Sequence, residues 1–510
     1  MKIERIVIGI LLCVGCMGVH ARSLSWDWWP TGVVDSVSAG QDTLRWTVGV
    51  SAVASSGKYA PFWLQSNMNG DVSSSPFSGN LTAGIYKEAV HPERWWDWDA
   101  AMLLNGCVQQ PSQNSYPQRG TIISKFKIQN YSPVAYSPLA LFSLAYAHVR
   151  LYLFDITAGI KPMIYETQDT ALTSGSLLFS GNSQPMPRIS IGIDRYVPFP
   201  GCFGYFEIKG GLTHAWMPDN VFVRGSFLHH KWAALRFGGR LPVNVSYEFH
   251  HAAQWGGIHP ELGDLGNDFD AFKHVFLAHS GGANASEQTN AQGNHLCSQQ
   301  WTVTGKGEGW EVSAYWQNIS EDNIAFIGDG QNIADGLWGV SMKQTRWPFI
   351  EGVTYEFINT TDQSGPWHDR DGLCFAGMDR YYINSTYLNG WNYFYRTMGT
   401  PFVTSPLYNE DGTLHTLNNR VRVHHLGVRG DIYGFQYRCK LSYARNYGTR
   451  NSIREPLSDN TTLLIEVNRH VEQAWGLDFG VRLAGDFGTQ WGNQFGAQVT
   501  ICKNGIITDW

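Results

Sequence analysis

Phe435-Gln436-Tyr437-Arg438-Cys439-Lys440-Leu441-Ser442-Tyr443 separates into two stripes. Phe435, Tyr437, Cys439, Leu441 and Tyr443 form one, and Gln436, Arg438, Lys440 and Ser442 the other. Successive side chains of a strand point to opposite faces, so this stretch is a strand with one apolar and one polar face. The same phase returns in Val243, Val245, Tyr247 and Phe249 against Asn244, Ser246, Glu248 and His250. It recurs in Trp475, Leu477, Phe479, Val481 and Leu483 against Gly476, Asp478, Gly480 and Arg482. Trp310, Val312, Ala314 and Trp316 oppose Glu311, Ser313 and Gln317, and Phe495, Ala497, Val499 and Ile501 form a further apolar stripe. A large soluble sandwich and a membrane barrel both alternate in this way.

The N-terminus helps to separate the two. Lys2 and Arg5 precede an almost wholly apolar run from Ile6 to Met17, and Val19-His20-Ala21 supplies small residues for cleavage after Ala21. This is the pattern of a secretory leader, and the run falls short of the ~18 residues that a spanning helix needs. Val14-Gly15-Cys16 leaves a lipoprotein signal open as an alternative, although Cys13 stands where a larger aliphatic is expected. The chain ends on Trp510. Leader, length and terminal aromatic together predict an all-β chain, a transmembrane antiparallel β-barrel in the outer membrane of a Gram-negative bacterium.

Composition agrees. Charged residues are 16% of the chain, below the roughly 25% of an average soluble domain, aromatics are 14%, and 55 glycines are spread throughout. Mean hydropathy is −0.24, and no segment after the leader has ~20 consecutive apolar residues, so any crossing is made by strands. Removing residues 1–21 takes away Lys2, Arg5 and Glu4 and moves the net charge from −6 to −7. That charge excludes a dedicated nucleic-acid binder.

Residues 51–510 are expected to form one barrel of about 16 to 20 strands, best read as 18, behind the leader 1–21 and a lead-in or plug segment at 22–50 that holds Trp26, Asp27, Trp28 and Trp29. Long outer loops are expected at Gln109 to Pro138, Trp255 to Cys297, Asn359 to Arg380 and Tyr395 to Asn419, where Gly, Asn, Asp, Pro and Ser crowd. Cys107, Cys202, Cys297, Cys374, Cys439 and Cys502 contain no C-x-x-C pair and read as small hydrophobes, with disulfide pairing left open.

Several short motifs, in order, are similar to the Bacteroidetes branch of the capsule assembly Wzi family. They are Tyr59-Ala60-Pro61-Phe62-Trp63-Leu64-Gln65-Ser66-Asn67, Leu177-Leu178-Phe179-Ser180-Gly181-Asn182 with Pro185-Met186-Pro187 and Ile189 to Ile193, and Gly390-Trp391-Asn392-Tyr393 with Arg396 to Pro401. Asn418 to Val421 and His424 to Gly427 complete the set, so the resemblance runs from about Ser51 to the C-terminus. It implies a surface lectin that holds capsular polysaccharide without catalysing its synthesis. Its implied surroundings are outer-membrane lipid and, on the periplasmic side, polysaccharide-export machinery. A monomer without cofactor or metal is expected.

Sugar rings stack on Trp and Tyr while Asn, Asp, Arg and His fix their hydroxyls. Asp379, Tyr381, Tyr382, Asn384, Tyr387, Trp391 and Tyr393 concentrate those types, and Trp367, His368 and Arg370 form a second candidate. An aromatic girdle would explain the first set and a solvated loop the second. The pairs His229-His230, His250-His251 and His424-His425 do not read as metal sites, because neighbours on a strand face opposite ways. Asp264, Asp268 and Asp270 lack the spacing of a calcium loop, and no hydrolase motif is present. A diffusion channel and a barrel hydrolase remain the alternatives, the former supported by Arg438, Lys440, Asp478 and Arg482.

Overall fold

The computed structural model describes residues 42–509 apart from 92, 110–121, 125–126, 129–141, 164–168, 219–221, 283–290, 322–331, 366–367, 371–372 and 377–378. The leader, most of the lead-in, Trp367 and Trp510 lie outside the described residues.

Eighteen strands form one antiparallel sheet. In chain order they are β1 (Thr43–Ser55), β2 (Phe77–Lys87), β3 (Trp96–Gln109), β4 (Phe142–Leu151), β5 (Phe154–Ile160), β6 (Pro187–Pro198), β7 (Phe206–Met217), β8 (Ser226–Phe237) and β9 (Val243–Trp255). The second half is β10 (Asn294–Gly307), β11 (Trp310–Glu321), β12 (Gly336–Gln344), β13 (Gly352–Asn359), β14 (Val421–Ile432), β15 (Phe435–Gly448), β16 (Ile453–Val471), β17 (Leu477–Gly488) and β18 (Gln494–Asp509). Each strand pairs with the next, and β1 pairs with β18 from Thr43↔Asp509 to Ser55↔Gly496, which closes the barrel. Closure removes the sheet edge and pairs the backbone within the wall, the condition for crossing hydrocarbon.

The expected phase holds on β15, where Leu441 is 45% exposed on the outside while Gln436, Arg438, Lys440 and Ser442 are buried in the lumen. Trp475, expected on the outward face ahead of Leu477, sits instead in the turn 472–476 with φ 58° and is exposed to solvent. The barrel also begins at Thr43, inside the stretch 22–50 expected as a lead-in. Its lipid face is Leu44, Trp46, Val48, Val50, Ala52 and Ala54, and Gly49 and Val53 interrupt the polar phase of the opposite face in the sequence.

At the end where Thr43 and Asp509 meet, the connections are short: 88–95, 152–153, 199–205, 238–242, 308–309, 345–351, 433–434 and 472–476. The opposite end carries 56–76, 110–141, 161–186, 256–293 and 360–420. Short turns mark the periplasmic end and long loops the extracellular one. In the loop 256–293, the helix Phe269–Leu277 starts at Asp268, whose side chain accepts from the Ala271 amide at 2.8 Å. It lies on the outer face of β8 to β10, where Ala271 and Val275 pack with Ala253 and Trp255.

Candidate functional site

The main apolar cluster lies inside the barrel. It joins inward residues of the wall (Val53, Met217, Leu228, Leu296, Ile319, Ile358, Val423) to Phe62, Trp63, Leu177, Leu178, Tyr382, Trp391 and Phe402 from three extracellular connections. Those loops fold inward as a plug.

The segment 169–177 reaches across to the wall formed by β11 and β13 to β15. Glu356, fully buried, accepts from the Tyr315 hydroxyl (2.6 Å), the Thr173 hydroxyl (2.8 Å), the Ser174 amide (2.6 Å) and the Ser174 hydroxyl. The Leu172 carbonyl meets His425 at 2.6 Å, Arg438 donates to the Ala171 carbonyl (3.2 Å) and Lys440 to the Thr173 carbonyl (3.2 Å). Arg429 pairs with Asp169 at 3.1 Å. Arg438 and Lys440, two of the four lumen charges read in support of a channel, therefore hold the plug, whereas Asp478 bonds His470 and Asn504 of the wall.

The segment 379–393 completes it. Tyr381, Tyr382, Tyr387, Trp391 and Tyr393 are all 2% exposed or less. The Tyr381 hydroxyl donates to Asp335 (3.0 Å), the Tyr387 hydroxyl to the Gly256 carbonyl (3.1 Å) and the Trp391 indole to the Leu178 carbonyl (2.9 Å). The Tyr382 hydroxyl donates to the Leu177 carbonyl. These five, candidates for glycan stacking with an aromatic girdle as the alternative, are buried inside the barrel and form neither an open platform nor a lipid-facing girdle. Tyr and Trp carry a large apolar body with one polar tip, which suits a plug inside a polar lumen as well as it suits a sugar platform.

Asp379 and Asn384 are half-buried. Asp379 accepts from Ser364 (2.6 Å) and Asn332 (3.2 Å). Asn384 accepts from the Thr386 and Tyr387 amides and donates to Asn294, so both side chains fasten loops. His368 and Arg370 lie in a short strand, His368–Arg370, paired with Leu373–Ala376.

Most of the motifs that carry the family resemblance meet in this plug, while Ile189 to Ile193 lies in the wall with Ile189 and Ile191 facing outward. Asn182 donates to the Thr397 carbonyl and hydroxyl (3.1 and 3.0 Å), and Arg396 donates to the Val72 carbonyl (3.0 Å) and to Gln65 (3.3 Å). The Phe62 amide donates to Asp486 (3.0 Å), and Asn419 to the Tyr381 carbonyl (2.9 Å). Gly399 belongs among them for steric reasons, since a Cβ there would meet the Leu177 carbonyl oxygen at 2.4 Å.

Above the plug, three extracellular connections bring half-buried aromatic rings together. Tyr59 lies 5.1 Å from Tyr408, which lies 4.6 Å from Trp491, both edge to face. The exposed pair Lys58–Glu410 sits beside them. The sequence reading passed over this group because its members are remote in the chain. The available signal was Trp491 in a turn, outside the phase of either neighbouring strand.

The histidines separate as expected. His250 faces inward and meets His230 at 3.2 Å, whereas His251 faces outward and meets His295 at 2.8 Å. Asp264 accepts from Gly266 and Asn267 within its own turn, Asp268 caps the helix and Asp270 pairs with Lys273. Among the described residues no cluster of His, Cys, Asp and Glu could hold a metal. The described cysteines Cys107, Cys202, Cys297, Cys439 and Cys502 are all free thiols.

No family model and no curated protein sequence matches the chain. Among solved structures it is similar to Wzi of Escherichia coli, an outer membrane protein involved in group 1 capsule assembly and a carbohydrate binding β-barrel. The TM-score is 0.52 at 14% identity, over 91% of this chain and 85% of that one. Lower similarities reach OccK5 (OpdH) of Pseudomonas aeruginosa, with TM-score 0.43, 9% identity and 92% and 98% covered, and OprD of the same organism, with 0.42, 9%, 92% and 96%. At these identities the likeness is one of fold.

Proposed function

We propose that this chain is a Wzi-type surface lectin, an outer-membrane barrel that anchors or organises capsular polysaccharide at the cell surface and performs no catalytic step. The observation that carries this reading is the plug. Loops from the extracellular end fill the barrel with an apolar core and hydrogen-bond to the opposite wall, an investment suited to displaying a rigid outer surface and opposed to diffusion through the lumen. The carbohydrate-binding description of the similar E. coli barrel supports the ligand class.

The platform best suited to the glycan is Tyr59, Tyr408 and Trp491, with Lys58 and Glu410 at its edge. Asp379 and Asn384 would act by fastening the loops beneath it. Trp491→Ala should move polysaccharide from the cell-associated to the shed fraction, with heat-modifiable barrel at wild-type level. Unchanged retention in both Trp491→Ala and a deletion strain would remove the capsule role.

A further inference from the structure

The lipid face of β7 to β9 carries two aromatic rows. At the periplasmic end Phe206 and Phe237 are cross-strand partners with ring centres 5.1 Å apart. Toward the outside, Trp216, Phe227 and Trp255 lie side by side in register. Ten positions of β8 separate Phe237 from Phe227. At ~3.4 Å per residue and a tilt of ~40° that is about 26 Å of height, the span of an apolar band between two girdles. Polar side chains interrupt the band just below the outer row. His229, Ala253 and His295 occupy one register row, and Lys231, His251 and Cys297 the next. Ionisable groups facing hydrocarbon are costly.

The connection 256–293 covers them, and His229, His251 and His295 are 2% exposed or less. The Phe272 and Phe276 rings stand 5.3 and 5.1 Å from the His229 ring, and His295 meets the Gln292 carbonyl at 2.8 Å. Lys231 donates to the Phe276 carbonyl and lies 4.3 Å from that ring's centre, so a cation holds the last turn of the helix Phe269–Leu277. The helix has two sides. Phe269, Phe272 and Phe276 form one stripe at i, i+3 and i+7, with successive ring centres 6.3 and 5.9 Å apart. This stripe continues the outer girdle, since Phe272 lies 5.6 Å from Trp255. Asp270, Lys273 and His274 form the other side, and Lys273 pairs with Asp270 at 2.7 Å. Phe269 is 74% exposed at the open end of the aromatic stripe.

We propose that the helix Phe269–Leu277 is an anchor in the outer leaflet of the membrane, with Phe269, Phe272 and Phe276 against lipid acyl chains and Asp270, Lys273 and His274 at head-group level. Lipid is the occupant because the stripe is continuous with the lipid-facing wall and reaches below its outer girdle to Lys231. The anchor pins the connection 256–293, whose Gly256 carbonyl in turn holds Tyr387 of the plug. It rests on the barrel alone, so the glycan reading can fail without it. Phe269→p-benzoylphenylalanine, a photoreactive replacement, is irradiated in outer membranes of cells producing the full chain. Mass spectrometry should find a lipid adduct at 269, as it should for Trp301→p-benzoylphenylalanine on the bare outer face of β10. An adduct at 301 with none at 269 overturns the proposal, and so does an adduct at 269 to a second protein. In the same membranes Cys297, 1% exposed, should resist N-ethylmaleimide. Phe269→Asp should raise its alkylation about tenfold or more, because a charge among acyl chains lifts the helix, whereas Lys273→Gln should leave it unchanged. Phe269 packs little, so its replacement spares the wall. Alkylation equal in Phe269→Asp and the parent protein overturns the assignment of this stripe to lipid.

Discussion

Trp391→Ala tests the plug most directly. The indole is 1% exposed, lies 5.7 Å from the Phe179 ring and donates to the Leu178 carbonyl at 2.9 Å, so it joins the 360–420 connection to the 161–186 connection. Truncating a buried Trp in a packed site costs about 3 to 5 kcal/mol. At about 1.4 kcal/mol per factor of ten, the ratio of docked to undocked plug falls by roughly two to three and a half powers of ten. The barrel wall is hydrogen-bonded strand to strand and should still assemble and remain heat-modifiable. Wild-type protein in planar bilayers should be electrically silent, whereas Trp391→Ala should show opening events and faster proteolysis within 360–420. Trp391→Phe retains most of the apolar contact but leaves the Leu178 carbonyl without its donor, and should cost about 1 to 3 kcal/mol. A silent, protease-resistant Trp391→Ala protein would refute the claim that this side chain holds the plug in the barrel.

On the barrel wall, Leu441→Arg should cost about 2 to 4 kcal/mol if it lies near the bilayer midplane, read as loss of the heat-modifiable form, because its side chain faces lipid. Ser442→Arg would be mild in an open lumen, but here Ser442 accepts from the Trp63 indole at 3.2 Å and contacts His425 at 2.8 Å, so a large side chain should loosen the plug; normal plug protection in Ser442→Arg would argue against this packing. In the 56–76 connection, burial pushes the Asp71 carboxyl up to about 7 from its ordinary 3.8, against hydrogen bonds from Ser143 and Asn105 that lower it. The folded state therefore holds the proton more tightly than the unfolded chain, and the associated stability is fully present below 3.8 and lost as pH rises through 7. Hydrogen exchange in this connection should be slower at pH 5 than at pH 8 after correction for intrinsic rates, and Asp71→Asn should flatten the difference; an equal difference in both proteins would exclude Asp71 as its source.

The barrel was legible because lipid and lumen impose opposite demands at every second residue, and Phe435 to Tyr443 states that demand without interruption. β1 was harder to find, since Gly49 and Val53 interrupt its polar phase and pairing with β2 and β18 is what makes Thr43 to Ser51 unmistakably wall. Trp475 misled for a related reason: a turn beside a strand can continue its apolar phase by one residue without sharing its hydrogen bonds. Local pattern reports which faces a segment has, and the partners across the sheet decide where the segment ends.

The candidate site exposes a deeper limit. Tyr381, Tyr382, Tyr387, Trp391 and Tyr393 were found as a group because ring density and hydrogen-bonding neighbours are visible in sequence, and all but Tyr387, which packs in a separate cluster with Phe222 and Leu265, share one core. Whether such a group faces solvent or fills a lumen depends on contacts such as Tyr381 with Asp335, Tyr387 with Gly256 and Trp391 with Leu178, which join residues far apart in the chain. The surface group of Tyr59, Tyr408 and Trp491 was missed for the complementary reason, having no local density at all. The two groups are nevertheless linked. Tyr59 begins the motif whose Phe62 and Trp63 enter the core, and Trp491 itself packs against that core. A plug that is rigid below holds the rings above it in place, so loosening Trp391 should weaken glycan retention at the surface even though Trp391 itself cannot touch a sugar there.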